Sequence, residues 1–135
     1  MRRSREYEER MVNMKIAITS YGKDLSGKVD RSFGRAKWFV VVDTESGIFE
    51  AHDNKQNVSL PQGAGIQAGQ NIANIGVDAI LTGNIGPNAY KTLSAASVKI
   101  FLIEKGIETV ENALSEWKAG RLKEVTEATI EGHWV

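Results

Sequence analysis

The residues that most restrict this chain are two short apolar runs, VDAILTG beginning at Val77 and VKIFLIE beginning at Val98, with the helix-patterned PNAYKTLSAAS between them. Strands that read as continuous apolar runs, without alternation, belong to sheets covered on both faces. Two such strands joined through a helix lie parallel, because only a parallel pair needs so long a crossover. The second half of the chain therefore calls for an α/β sheet with helices on its faces.

The first half reads differently. KIAITS is a short β-rich run, followed by the polar, glycine-punctuated YGKDLSGKVDRSFGRA and a second β-rich run, KWFVVVDT. Thr44, Glu45, Ser46 and Gly47 have tight-turn composition and IFEAHDN follows them, so the second and third strands form an antiparallel hairpin. In IQAGQNIANIG, residues Ile66, Gly69, Ile72, Ala73 and Ile75 share a helical face and Gly76 supplies the stop. The second helix turns Ala89, Leu93 and Ala96 inward. A third, over residues 109–119, buries Val110, Ala113, Leu114 and Trp117 and ends at Gly120. With right-handed crossovers, the order β-β-β-α-β-α-β-α predicts a five-stranded mixed sheet of spatial order 3-2-1-4-5 in which strand two alone is antiparallel. Helices on both faces make this a ribonuclease-H-like three-layer fold.

Composition narrows the function. The 135 residues suit one domain, and 17 basic against 17 acidic side chains give no global positive field of the kind that drives nonspecific nucleic-acid binding. Any anion site must be local. The chain has no cysteine, which excludes disulfides, thiolate nucleophiles and cysteine-ligated metals. No window approaches the roughly eighteen apolar residues of a membrane span, and MRRSREYEERMVN lacks the apolar centre of a signal peptide. A cytoplasmic location is expected. Residues 1–13 read as a flexible extension, 14–124 as the domain and 125–135 as a tail.

In the expected sheet, the chain leaves strand one toward one side and enters strand four on the other, which opens a crevice at a topological switch point. Three loops leave the sheet at that carboxyl edge, spanning residues 21–36, 54–64 and 82–87. The stretch ILTGNIGPNAY carries the last of them. Pro87 suits a first helical position, and Gly83 and Gly86 permit close approaches that side chains would block. QGAG opens the first helix similarly, so two helix amino termini with their partial positive charge face one crevice. Lys23, Lys28, Arg31 and Arg35 add charge against Asp24 and Asp30. Taken singly, each glycine turn is ordinary punctuation, and TGNIGP lacks the Lys-Ser/Thr pair of a P-loop.

Catalytic groups are harder to assemble. Metal-dependent nucleases need converging carboxylates, yet KIAITS carries none, and Asp43 and Asp78 fall at the edge opposite Asp53. Ser20, Ser26 and Ser32 have no evident base. The two histidines, His52 and His133, are too few for a closed imidazole site, although each could cap a preassembled cluster. The reading is a non-enzyme. Its alternatives are a cofactor-free interaction module and, with less support, a magnesium-dependent phosphoester hydrolase.

Several motifs in one order carry a resemblance: VD-x-x-FGRA over residues 29–36, GAG over 63–65, GVDAILTG, GPNAY, the TVENAL helix and its AGRL end. Over residues 14–124 the chain resembles the dinitrogenase iron-molybdenum cofactor biosynthesis family. That family includes NifX-like carriers, NafY, the carboxyl-terminal domain of NifB and stand-alone members such as the orange protein. The resemblance implies a carrier of an anionic iron-, molybdenum- or copper-containing sulfide cluster, served by donor and acceptor proteins, with a homo-oligomer as a further expectation. Carried over by position, the cofactor-binding candidates are Arg31, Arg35, Gly63, Gly65, Asn84, Gly86 and Asn88. Gln62 stands where many relatives have a glycine before GAG.

Overall fold

The computed structural model describes residues 14–128. The expected extension over residues 1–13 lies outside that range, as does most of the tail. Along the chain run β1 (Lys15–Ser20), β2 (Trp38–Asp43), β3 (Phe49–Asp53), a single 3-10 turn (Lys55–Asn57), α1 (Ala64–Ile75), β4 (Ala79–Thr82), α2 (Pro87–Ala95), β5 (Lys99–Leu102), α3 (Val110–Lys118) and β6 (Lys123–Glu124).

These strands make one open mixed sheet of order β3-β2-β1-β4-β5-β6. Ile16 sits opposite Ala79 in the parallel β1–β4 pair and Ile80 opposite Ile100 in the parallel β4–β5 pair. β2 runs antiparallel to both β1 and β3. The expectation of five strands is corrected to six, because Lys123 and Glu124 pair antiparallel with Leu102 and Phe101. This short strand eluded sequence reading because it has two residues, both charged and exposed. What fixes it lies on either side. Leu122 is buried, Val125 donates its amide to the Ile100 carbonyl, and the Tyr90 hydroxyl donates to the Thr126 carbonyl.

Strand residues alternate between two cores. Ala17, Phe39, Val41 and Ile80 pack under α1 and α2 through Ala68, Ile72, Ala89 and Leu93. Ile16, Ile18, Val40, Val42 and Leu81 meet α3 on the other face through Val110, Ala113, Leu114 and Trp117. Helices therefore cover both faces. Two helical positions differ from expectation. Ile66 is 37% exposed, because the buried stripe of α1 runs through Ala64, Ala68, Gly69 and Ile72. Ala96 is exposed because the helix has already reached its cap there.

α1 and α2 approach closely for a stated reason. A Cβ on Gly65 would lie 3.3 Å from the Ala89 Cβ, and one on Gly69 would lie 2.9 Å from the Thr92 Cγ2. Two glycines on one helix face thus let the second helix settle against it, and both helices begin at the same edge of the sheet.

Candidate functional site

At the carboxyl edge of β1 and β4 the three expected loops frame a cleft of about 490 Å³, lined from residues 32–35, 62–66 and 84–89. Its first wall follows β1. The Thr19 hydroxyl, fully buried, donates to the Asp30 carbonyl and lies 3.1 Å from the Thr82 hydroxyl, tying this loop to the end of β4. Ser32 then forms an isolated parallel bridge with Asn84. Such proximity demands a glycine at position 83, where a Cβ would lie 2.5 Å from the Arg31 Cβ and 2.7 Å from its Cα. Gly34 abuts the start of α1, its own would-be Cβ 3.0 Å from the Gly65 nitrogen. Beneath the wall, burial pushes the Asp30 carboxyl up, opposed by the Ser32 and Lys37 amides and the Lys37 charge.

The loop after β3 is organised by buried polar groups. Asn54, with no exposed surface, donates from Nδ2 to the Ala36 carbonyl at 2.8 Å and accepts from the Asn57 side chain at 2.6 Å. Arg35 grips the same loop from outside, its Nη1 donating to the Leu60 carbonyl at 2.7 Å and the Val58 carbonyl at 3.1 Å. Sequence reading missed Asn54 and Asn57 because a polar loop residue looks solvated until its partners are known.

The electrostatics of the cleft come from helix ends. α1 starts at Gly63, whose φ of 82° suits a residue without a side chain, and α2 starts at Gly86 with Pro87 in the first position. Neither start has a side-chain cap or an acidic residue in its first turn. The first helical bonds run from Gln67 to the Gly63 carbonyl at 3.1 Å and from Tyr90 to the Gly86 carbonyl at 3.0 Å. The amides of Ala64, Gly65, Ile66, Asn88 and Ala89 precede those bonds, so they have no intrahelical acceptor. All five belong to lining residues, and Arg35 is the one charged residue among the lining. Two partial positive ends thus face a single cavity with no carboxylate in its wall, and Arg35 borders it while its guanidinium bonds the Val58 and Leu60 carbonyls.

Six predicted residues, Arg35, Gly63, Gly65, Asn84, Gly86 and Asn88, lie together in this lining. Arg31 does not. Its guanidinium donates to the carbonyls of Ile103, Glu104 and Ile107 at 2.7, 3.0 and 3.2 Å, which ties it to the connection between β5 and α3. His52 is also elsewhere, opposite Phe39 in the β2–β3 ladder. His133 lies outside the described residues. Among the described residues, no group of three or more acidic, histidine or cysteine side chains could hold a metal ion. Ser32 and Gly34 join the cleft through a bridge and a close approach that no local pattern announces.

The chain is similar to known proteins. The apo form of the orange protein from Desulfovibrio gigas superposes with a TM-score of 0.82 at 38% identity, covering 87% of this chain and 97% of that one. A putative NifB protein from Thermotoga gives 0.76 at 39% identity over 88% of this chain and 99% of that one. An uncharacterised protein of Methanocaldococcus jannaschii is 28% identical over 112 residues, which is 82% of this chain and 90% of the relative. Residues 14–120 match the family described as dinitrogenase iron-molybdenum cofactor, and the chain belongs to that family.

Proposed function

We propose that the cleft carries an anionic metal-sulfur cluster or its precursor, containing iron, molybdenum or copper, and that it does so without catalysis. The observation that carries this reading is the convergence of two uncapped helix starts on one cavity. First-turn amides bind anions by direct hydrogen bonds and by the positive end of the helix. A cleft with no thiolate, imidazole or carboxylate in its lining suits a cargo whose metals already carry their own sulfide ligands. Membership of a family described by the iron-molybdenum cofactor supports the same cargo class.

In this reading residues 14–124 form the carrier domain, with a ribonuclease-H-like sheet, working in the cytoplasm between donor and acceptor proteins. No helix among the described residues is long and apolar enough to cross a membrane. The test is anaerobic purification followed by elemental analysis for iron, molybdenum, copper and sulfide, with a visible absorption spectrum. Stoichiometric metal with a sulfide charge-transfer band is the expected result. A chain that stays colourless and metal-free, and takes up no cluster offered to it anaerobically, overturns the proposal and leaves the interaction module.

A further inference from the structure

β3 ends the sheet on one side, and its pairing with β2 fixes which of its peptide groups look outward. The Asp43 amide donates to the Ile48 carbonyl and the Asn54 amide to the Lys37 carbonyl, each at 2.9 Å. With Val41 opposite Glu50 and Phe39 opposite His52, the even-numbered residues of this stretch are the ones bonded to β2. Alternate residues of an antiparallel strand turn their N–H and C=O groups to opposite sides. Phe49, Ala51 and Asp53 therefore present theirs along the outer edge, which no described strand covers. A row of open peptide groups is a template for another strand.

We propose that this edge pairs with the β3 strand of a second copy of the chain, antiparallel about a twofold axis at Ala51. The register follows from the side chains. Both edges are satisfied only when odd-numbered residues face odd-numbered ones. An axis at Ala51 then sets Glu50 against the second copy's His52, and His52 against the second copy's Glu50. Moving the axis to residue 50 opposes two glutamates, and moving it to residue 52 opposes two histidines. Glu50 and His52 occupy the non-hydrogen-bonded positions of the new pair, where facing Cα atoms lie about 4.5 Å apart, so a carboxylate can accept an imidazole N–H whereas two carboxylates repel.

Within one chain the imidazole is underused. His52 Nε2 is buried and has no hydrogen-bond partner among the described residues, and the Oε1 of its own Glu50 is 3.8 Å away. Turned outward at the edge, the imidazole meets a carboxylate across the new pair that supplies the acceptor it lacks within its own chain. On the other side of the strand, Phe49 is 38% exposed and lies diagonal to the second copy's Ala51 in this register, so its ring gains cover. The opposite end of the sheet, β6, has two residues and offers no comparable ladder. No β3 residue lines the cleft, so pairing here leaves the carrier site open and stands independently of its cargo.

Sedimentation velocity of the full chain, from micromolar to about 1 mM, tests the proposal. The expected result is a concentration-dependent dimer. Glu50→Arg should weaken it about tenfold or more by removing the acceptor that faces His52, and adding His52→Glu should restore it by setting Arg against Glu. Ala51→Pro removes an outward N–H while leaving the β2 ladder its own bonds, so it should abolish the dimer with the circular dichroism spectrum unchanged. A chain that is monomeric throughout the range overturns the proposal. So does a dimer that neither Glu50→Arg nor Ala51→Pro weakens, since it would use another surface.

Discussion

At the start of α3 the Thr109 hydroxyl accepts the Asn112 amide at 3.1 Å and Glu111 occupies the first turn, whereas α1 and α2 begin at Gly63 and Gly86 with neither device. All three helices face the same problem of first-turn amides without acceptors. A side-chain cap typically contributes about 1 kcal/mol, and the two helices at the cleft forgo it. Their starts are instead held by packing, Gly34 against Gly65 and Gly65 against Ala89. The contrast separates a helix end closed for stability from two whose amides stay open at the cleft, as the proposed cargo site requires.

The largest effect should come from breaking the contact that brings these open ends to the first wall. Gly83→Ala places a methyl 2.5 Å from the Arg31 Cβ and 2.8 Å from its carbonyl oxygen, neither of which can swing aside. A loss of about 3 kcal/mol is expected in urea unfolding, the upper part of the range for overpacking. An unfolding midpoint unchanged from the parent would show that the two loops are not held together as described.

Arg35 comes next, because it stands at the cleft and also grips the loop carbonyls of Val58 and Leu60. Arg35→Ala should lower anaerobic cluster loading about tenfold, a difference near 1.4 kcal/mol. Arg35→Lys sharpens the result, since lysine keeps the charge but lacks the fixed planar N–H pair with which Nη1 reaches two carbonyls. Loading retained by the lysine variant assigns the effect to charge; loading lost by both variants assigns it to the loop. Equal loading by all three proteins removes Arg35 from the site. At the closed end, Thr109→Ala should cost about 1 kcal/mol of stability and leave loading unchanged. A fall in loading there would erase the distinction between the two kinds of helix start.

How much of this could be read beforehand follows from where each signal resides. The sheet order through β5 was legible because two continuous apolar runs and one turn composition determine strand type and pairing. Gly63, Gly86 and Pro87 were legible because their roles are backbone roles that the residue type itself announces. Arg31 and Arg35 looked alike in sequence, as two cations on one loop. They part only when the chain folds, Arg31 toward the carbonyls beyond β5 and Arg35 toward those of the loop after β3. Asn54 shows the same limit in reverse, a polar loop residue whose burial depends on carbonyls 18 and 20 positions away. Partners distant in sequence leave no mark on local composition.

The smallest expected change in stability gives the sharpest view of the contrast. Asn88→Asp puts a carboxylate in the first turn of α2, on an exposed residue of the cleft, and so supplies what α3 already has in Glu111. A negative charge near a helix amino terminus is worth about 0.5 kcal/mol, and thermal unfolding should register that gain. The same charge competes for the positive helix end and repels an anionic cargo, so cluster loading should fall while the protein becomes slightly more stable. Opposite signs from one substitution are what an end left open for a ligand requires. If stability and loading rise together, or loading holds while stability rises, the α2 start is a helix end like any other and the cargo sits elsewhere.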